Sequence, residues 1–155
     1  MILKALLILM GGLSYMVAHA QESESLLGIW RYDGFFYEGN RYPNPNPELE
    51  LEFTFYANGV SRLFWARKNE SGFCECLASY RIAGNLLWQK VTWVNPDNLA
   101  ECAQDQDMQL GRETQTSFSR PNDELWFRFE LNGKPFDYIL KFKSAADSTQ
   151  ARSAP

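Results

Sequence analysis

Three cysteines carry the sharpest local chemistry of this 155-residue chain. Cys74 and Cys76 flank Glu75, and Cys102 follows at a distance. On an extended strand, side chains two apart point the same way. The pair is therefore poorly placed to bond to itself and well placed to share a third partner. The spacing predicts a disulfide from Cys102 to either Cys74 or Cys76, with one thiol left over. Such a bond stabilises by roughly 2–4 kcal/mol and would tie the 95–107 segment to the strand. A thiolate metal centre wants four ligands, and no histidine is at hand to complete one, so no metal and no cofactor are expected. A redox role needs Cys-x-x-Cys at a helix start, which is absent. The only histidine is His19. It falls in a segment that reads as a removable leader, so Ser-His-Asp and Cys-His nucleophiles have no base. The expectation is a protein that is not an enzyme.

A second group of candidates works by shape and polarity. Phe53, Phe55, Trp65, Trp93, Phe127, Phe129 and Tyr138 all fall on one parity of alternating stretches. They would line a pocket for a flat or oily molecule, or else fill the interior with rings. Gln89, Arg112 and Tyr80 share that inward parity, with Thr114 and Thr116 beside them. They would orient a ligand inside such a pocket. An inward Arg112 needs an acidic partner, from a ligand or from the protein, because an unpaired buried charge is very costly. In the opposite register it stands in water.

What positions these residues is a run of strands behind an export leader. Met1–Ala20 has one early positive charge at Lys4, an apolar stretch from Ala5 to Met10, and a small-x-small ending at Ala18-His19-Ala20. That is the form of a signal peptide. The apolar stretch is too short to span a bilayer well. Residues 21–25 make a polar lead, 26–143 one domain, and 144–155 a small polar tail without a core to join. The protein is expected to be secreted or periplasmic. With 15 Lys and Arg against 19 Asp and Glu, and no basic stripe, nucleic acid is not an expected partner.

Within 26–143 the strands announce themselves by period-two alternation. Leu26 to Tyr37 forms a first strand, kinked at Gly34. Gly39–Glu48 holds Pro43, Pro45 and Pro47 and is expected as an extended loop, either a lid over the barrel mouth or a stiff connector. In 48–56, Leu49, Leu51, Phe53 and Phe55 alternate with Glu48, Glu50, Glu52 and Thr54. Ala57-Asn58-Gly59 then predicts a hairpin pairing Phe53 with Leu63 and Leu51 with Trp65. Cys74, Cys76, Ala78, Tyr80 and Ile82 share one face of the next strand, and Gly84-Asn85 turns it into Leu86–Val94, with Leu87, Gln89, Val91 and Trp93 inward. A short helix is expected after Pro96, with Leu99, Cys102 and Ala103 on one side. Strands over 108–118, 125–131 and 136–142 complete the set, the last two joined at Asn132-Gly133.

Eight antiparallel strands in sequence order predict an all-β up-and-down barrel with one short helical insert. A membrane-spanning barrel is not expected. It would turn the apolar face to lipid and crowd Glu48, Glu50, Glu52, Arg128, Glu130, Lys141 and Lys143 into a narrow lumen.

Gly28-Ile29-Trp30 on the first strand, a long loop after it and the meander that follows resemble the lipocalins and the wider calycin group. Phe55-Tyr56-Ala57-Asn58-Gly59 and Ser79-Tyr80-Arg81-Ile82-Ala83-Gly84-Asn85-Leu86 make the chain similar to the small bacterial lipocalin-like domains. The resemblance implies structural roles for Gly28 and Trp30, with the tryptophan across the closed end of the barrel beneath an arginine near the last strand. No arginine in the sequence matches that partner, and Lys143 is the nearest basic residue. The resemblance also implies a small apolar or amphipathic ligand held inside. The competing expectation is a filled barrel that meets a protein partner through its loops and the outward Phe64, Trp88 and Trp126. Asn69-Glu70-Ser71 matches the acceptor pattern for N-glycosylation.

Overall fold

A computed structural model describes residues 26–146. The leader at 1–20, the polar lead at 21–25 and the tail from 147 onward lie outside the described residues. Nine strands run antiparallel in one sheet: β1 (Gly28–Tyr37), β2 (Asn40–Pro43), β3 (Leu49–Phe55), β4 (Val60–Arg67), β5 (Phe73–Ala83), β6 (Leu86–Val94), β7 (Glu113–Ser119), β8 (Glu124–Leu131) and β9 (Lys134–Ser144). β1 pairs with β9 as well as with β3, which closes an eight-strand barrel, and β2 flanks it. The last strand runs through Ser144, one residue beyond the domain end expected at 143.

The hairpin at Ala57-Asn58-Gly59 sets the register as its turn chemistry predicts. Phe53 faces Leu63 and Leu51 faces Trp65. Val60 accepts from Tyr56 N–H at 2.9 Å, which closes the turn. Asn58 steadies it by accepting from Val60 N–H through its side chain at 3.1 Å.

Three expectations about elements need correction. The Pro-rich 39–48 segment is not wholly a loop. Asn40–Pro43 pairs with Gly34–Tyr37 of β1, because the prolines that cannot donate come at its end, where the ladder stops. A Cβ at Gly34 would stand 2.2 Å from the Tyr42 carbonyl oxygen, so this close strand approach needs glycine. The segment after β6 forms two short 3-10 turns, Ala100–Gln104 and Gln106–Met108, rather than one helix. Leu99 and Cys102 face the protein, while Ala103 is exposed. Third, β7 begins at Glu113, not Met108.

Besides a register shift at Lys143 near the end of β9, between Phe142 opposite Trp30 and Ser144 opposite Ile29, two bulges break the alternation. Asp33 is the extra residue in β1 between Tyr32, opposite Leu140, and Gly34, opposite Ile139. Thr92 is the extra residue in β6: Ala78 faces Val91 while Leu77 faces Trp93. The second bulge reverses the parity after Val91, so Trp93 turns outward and Val94 takes the inner face.

The core divides along the barrel axis. At the end holding the β3–β4, β5–β6 and β7–β8 turns, Leu26, Trp30, Phe55, Leu87, Leu125, Phe127 and Leu140 form one buried cluster. The Trp30 indole N–H donates to the Leu26 carbonyl at 2.8 Å, which plugs this end. Gly28 has φ +126, and a Cβ there would meet the Phe142 ring at 2.4 Å. At the other end a second cluster gathers Cys74, Cys76, Val91, Cys102 and Met108.

The outer wall is not uniformly wet. Glu52, Thr54, Asp137 and Ile139 are buried although they alternate with inward residues. Long basic side chains lie over the two acids. Arg31 and Lys143 donate to Glu52 at 2.9 and 2.6 Å, and Arg128 grips Asp137 at 2.7 and 2.9 Å. Burial pushes the Glu52 carboxyl up, but hydrogen bonds from Lys143 and Arg31 outweigh it and hold the group below its ordinary range.

Candidate functional site

Below the second cluster the barrel is hollow. A cavity of about 450 Å³ opens at the end opposite Trp30. Its apolar floor and walls come from Phe53 on β3, Leu63 on β4, Ala78 on β5, Leu87 and Val91 on β6, and Phe127 on β8. Phe129 and Tyr138 stand higher on the same side, with ring centroids 5.0 Å apart in an edge arrangement. Phe53 and Phe127 meet edge to face at 5.2 Å.

Uncharged polar side chains interrupt this lining on β4, β6 and β7. Gln89 donates from its amide to the Ser61 hydroxyl at 2.9 Å. The register puts Gln89 opposite Thr114 and Leu87 opposite Thr116, and both threonines line the cavity. Gln89 reaches Ser61 across β5 because Ala78, between their strands, is small. Charge is confined to the rim, where Asp107, Arg112 and Glu113 border the opening. Burial, then the Asp105 charge, pushes the Asp107 carboxyl above its ordinary range, and Arg112 pulls it part of the way back. The same acids, behind burial, raise the Tyr138 hydroxyl.

The disulfide joins Cys74 to Cys102, with the Cα atoms 5.6 Å apart. Cys76 is the free, buried cysteine and lines the cavity. Its thiol donates to the Asp107 carbonyl at 3.4 Å. Burial above all, with the charges of Asp105 and Asp107, pushes its pKa up to about 12. A thiol held protonated in this way is a poor nucleophile. Among the described residues no cluster of three or more His, Cys, Asp or Glu is placed to hold a metal.

Of the ten side chains expected around a ligand, Phe53, Gln89, Arg112, Phe127, Phe129 and Tyr138 come together at the cavity. Four do not. Phe55 is fully buried in the closed-end cluster. Trp65 packs on the disulfide cluster, and its indole N–H donates to Asp105 at 3.3 Å. Tyr80 donates its hydroxyl to the Tyr56 carbonyl at 2.9 Å and packs on Phe55, so it cannot orient a ligand. Trp93 faces outward because of the Thr92 bulge. Arg112 is exposed at the rim, which spares it the buried partner that a deep position would demand. No residue of 39–48 borders the cavity, so the Pro-rich segment is not its lid.

Inward parity already carried Leu63, Cys76, Ala78, Leu87 and Val91, and placing Leu63 inside implies Ser61 inside as well. Asp107 had no such signal, because it depends on how the 95–112 segment folds back, and Glu113 and Gln115 have outward parity on β7. Another residue was missed at the closed end. Arg120 places its guanidinium 4.7 Å from the centroid of the Trp30 ring. Arg120 therefore takes the tryptophan-covering role, and Lys143 instead holds Glu52. The signal was parity: Arg120 follows Phe118, which packs on the closed-end cluster.

The outward aromatics are covered by neighbouring side chains, and Phe64 also stacks on Phe73 at 5.9 Å. Arg81 lies over Trp88 at 4.4 Å, Arg62 over Phe64 at 4.6 Å, and Trp126 stacks at a tilt on Phe36 at 5.5 Å. Asn69 is exposed in the β4–β5 turn and donates to Glu48 at 3.0 Å. No described helix is long and apolar enough to cross a membrane.

No protein-family model matches the chain, and no curated protein matches it. A solved structure of a lipocalin-like protein from Bacteroides uniformis is similar to it, with a TM-score of 0.52 and 15% identity, covering 77% of this chain and 99% of that one. At that identity the likeness is one of fold. The chain has a lipocalin-like, closed, all-antiparallel barrel.

Proposed function

We propose that this barrel is exported and holds a small, neutral, amphipathic molecule in its open half, binding it without turning it over. The observation that carries the proposal is the mixed lining of the cavity, apolar for the most part and interrupted by uncharged polar groups. Aromatic and aliphatic side chains from β3, β4, β5, β6, β8 and β9 are interspersed with Ser61, Gln89, Thr114 and Thr116, and the charged residues that border the cavity, Asp107, Arg112 and Glu113, are exposed. An uncompensated charge carried to the floor would lose its hydration with nothing to replace it. A molecule that is mostly hydrocarbon and bears a hydroxyl, carbonyl or amide satisfies both kinds of lining. The volume of about 450 Å³ lies in the range of small-molecule sites. Export is supported by the leader pattern of Met1–Ala20 and by the Cys74–Cys102 disulfide, a bond that persists in oxidising compartments.

Native mass spectrometry of the protein purified from its export route tests this directly. The expected result is a mass above that of the oxidised chain, with a neutral amphipath released on denaturation. A chain that arrives empty and fails to take up a neutral apolar fluorophore such as N-phenyl-1-naphthylamine overturns the proposal.

A further inference from the structure

The wall of the barrel parts in two places at the open end. The first lies between β1 and β3, which pair only from Gly28 to Arg31 against Phe55 to Glu52. Above that point β2 takes the free edge of β1, and the 44–48 segment runs on to β3. Asn44 donates to the Asp33 carbonyl at 2.9 Å, so the edge of β1 at this parting is taken by β2 and the residue that follows it.

The second lies between β7 and β8. They pair only through Ser117–Ser119 against Arg128–Trp126. Toward the rim, β7 continues on β6 from Thr116 back to Glu113, and β8 continues on β9 from Phe129 to Leu131. Neither has a strand partner across the gap. Four residues on the β7 lip and three on the β8 lip make a notch about 10 Å deep at the usual rise per residue. The cavity runs into it. Thr114 and Thr116 have inward parity and Glu113 and Gln115 outward parity, yet all four border the cavity. A cavity sealed behind a closed wall touches one parity of a strand; this one touches both. The lips differ in chemistry: β8 offers Phe129 and Leu131, exposed by 40% and 45%, and β7 offers hydroxyls and an amide.

The geometry points to the β7–β8 notch as the route by which the ligand reaches the cavity and as the outer part of its site. It would take a flat or elongated molecule with its polar edge on Thr114–Thr116 and its apolar edge on Phe129 and Leu131. This inference rests on the proposed binding function, and the test separates the two.

Gln115 is exposed on the outer lip, and Ser71 is exposed in the β4–β5 turn across the rim. In a Cys76→Ser background, Gln115→Cys and Ser71→Cys are each capped with a polyethylene glycol maleimide, and N-phenyl-1-naphthylamine uptake is followed by stopped flow. The cap at Gln115→Cys is expected to slow association about tenfold or more, as obstruction of a docking path does. The cap at Ser71→Cys is expected to leave it unchanged. Equal rates for both capped proteins, whether as fast as the uncapped ones or equally slowed, overturn the notch and leave the binding function standing. Failure of the uncapped proteins and the unsubstituted chain to bind the probe overturns both.

Discussion

Strand β8 passes through both halves of the molecule and shows how they differ. Leu125 and Phe127 are 0% and 2% exposed, whereas Phe129 and Leu131, two and four residues further along the same face, are 40% and 45% exposed. The alternation is identical along the strand. What changes is the company. At the closed end Trp30, Phe55 and Leu140 fill the interior and Arg120 covers the tryptophan. At the open end Ser61, Ala78 and the threonines of β7 are too small to meet in the middle, and β7 no longer pairs with β8. Alternation decides which face a side chain takes. Side-chain volume and strand pairing decide whether that face becomes a core or a cavity.

The strongest challenge to this contrast is to empty the closed end. Trp30→Ala is expected to lose about 3–5 kcal/mol in chemical denaturation, in the manner of other buried large-to-small changes. Phe129→Ala is expected to lose less than about 1 kcal/mol, as surface positions do, while weakening ligand uptake. Similar losses for the two would mean that the halves are packed alike.

Next in size is the clamp of the open end. Replacing Cys74 and Cys102 together by serine is expected to cost about 2–4 kcal/mol by the same assay. Cys76 in the unsubstituted protein should stay unreactive to maleimide until the protein unfolds, which mass spectrometry of quenched samples reads directly. Arg120→Ala is expected to cost about 0.5–2 kcal/mol through loss of its contact with the Trp30 ring. Arg120→Lys should restore part of that, since an ammonium also binds a ring face.

The smallest effects are in pH dependence, and they have opposite signs in the two regions. Glu52 titrates below its ordinary range when folded, so its contribution is complete above the unfolded pKa and is lost as pH falls through the folded one. Asp107 titrates above its ordinary range, so its contribution is complete in acid and is lost as pH rises through the folded value. Glu52→Gln should therefore destabilise near neutral pH and have little effect in acid. Asp107→Asn should slightly stabilise near neutral pH and also have little effect in acid. Thermal melts from pH 3 to 8, which reach about one unit below and about four units above ordinary carboxylate pKa values, distinguish the two.

Much of this was legible in the sequence because period-two alternation maps directly onto two faces of a wall. The β3–β4 register followed from one turn, and the partners of Cys102 were narrowed to two by parity alone. Trp93 was misplaced because a bulge at Thr92 leaves no mark in the residue pattern. Phe55 and Tyr80 were assigned to the correct face but to the wrong depth, since alternation carries no information along the barrel axis. β2 was hidden by its prolines, which argue against a strand while leaving its unpaired edge free. Asp107 joins the rim through the folding back of the 95–112 segment, a tertiary event with no local signature, and Glu113, outward by parity, borders the opening where β7 does not pair with β8. Arg120 was legible by parity with Phe118 and was missed because it lies at a turn rather than on the last strand.

On the proposed function, the open half is a binding cavity and not an imperfection in a core. Ala78 lines it from the centre of one wall and is itself buried, so a ring placed there fills the space. The decisive measurement is a fluorescence titration of N-phenyl-1-naphthylamine into the unsubstituted protein and into Ala78→Phe, with thermal melts of both. Saturable binding by the first, and none by a folded Ala78→Phe with a similar melting temperature, is the predicted result. Equal binding by both would contradict the account.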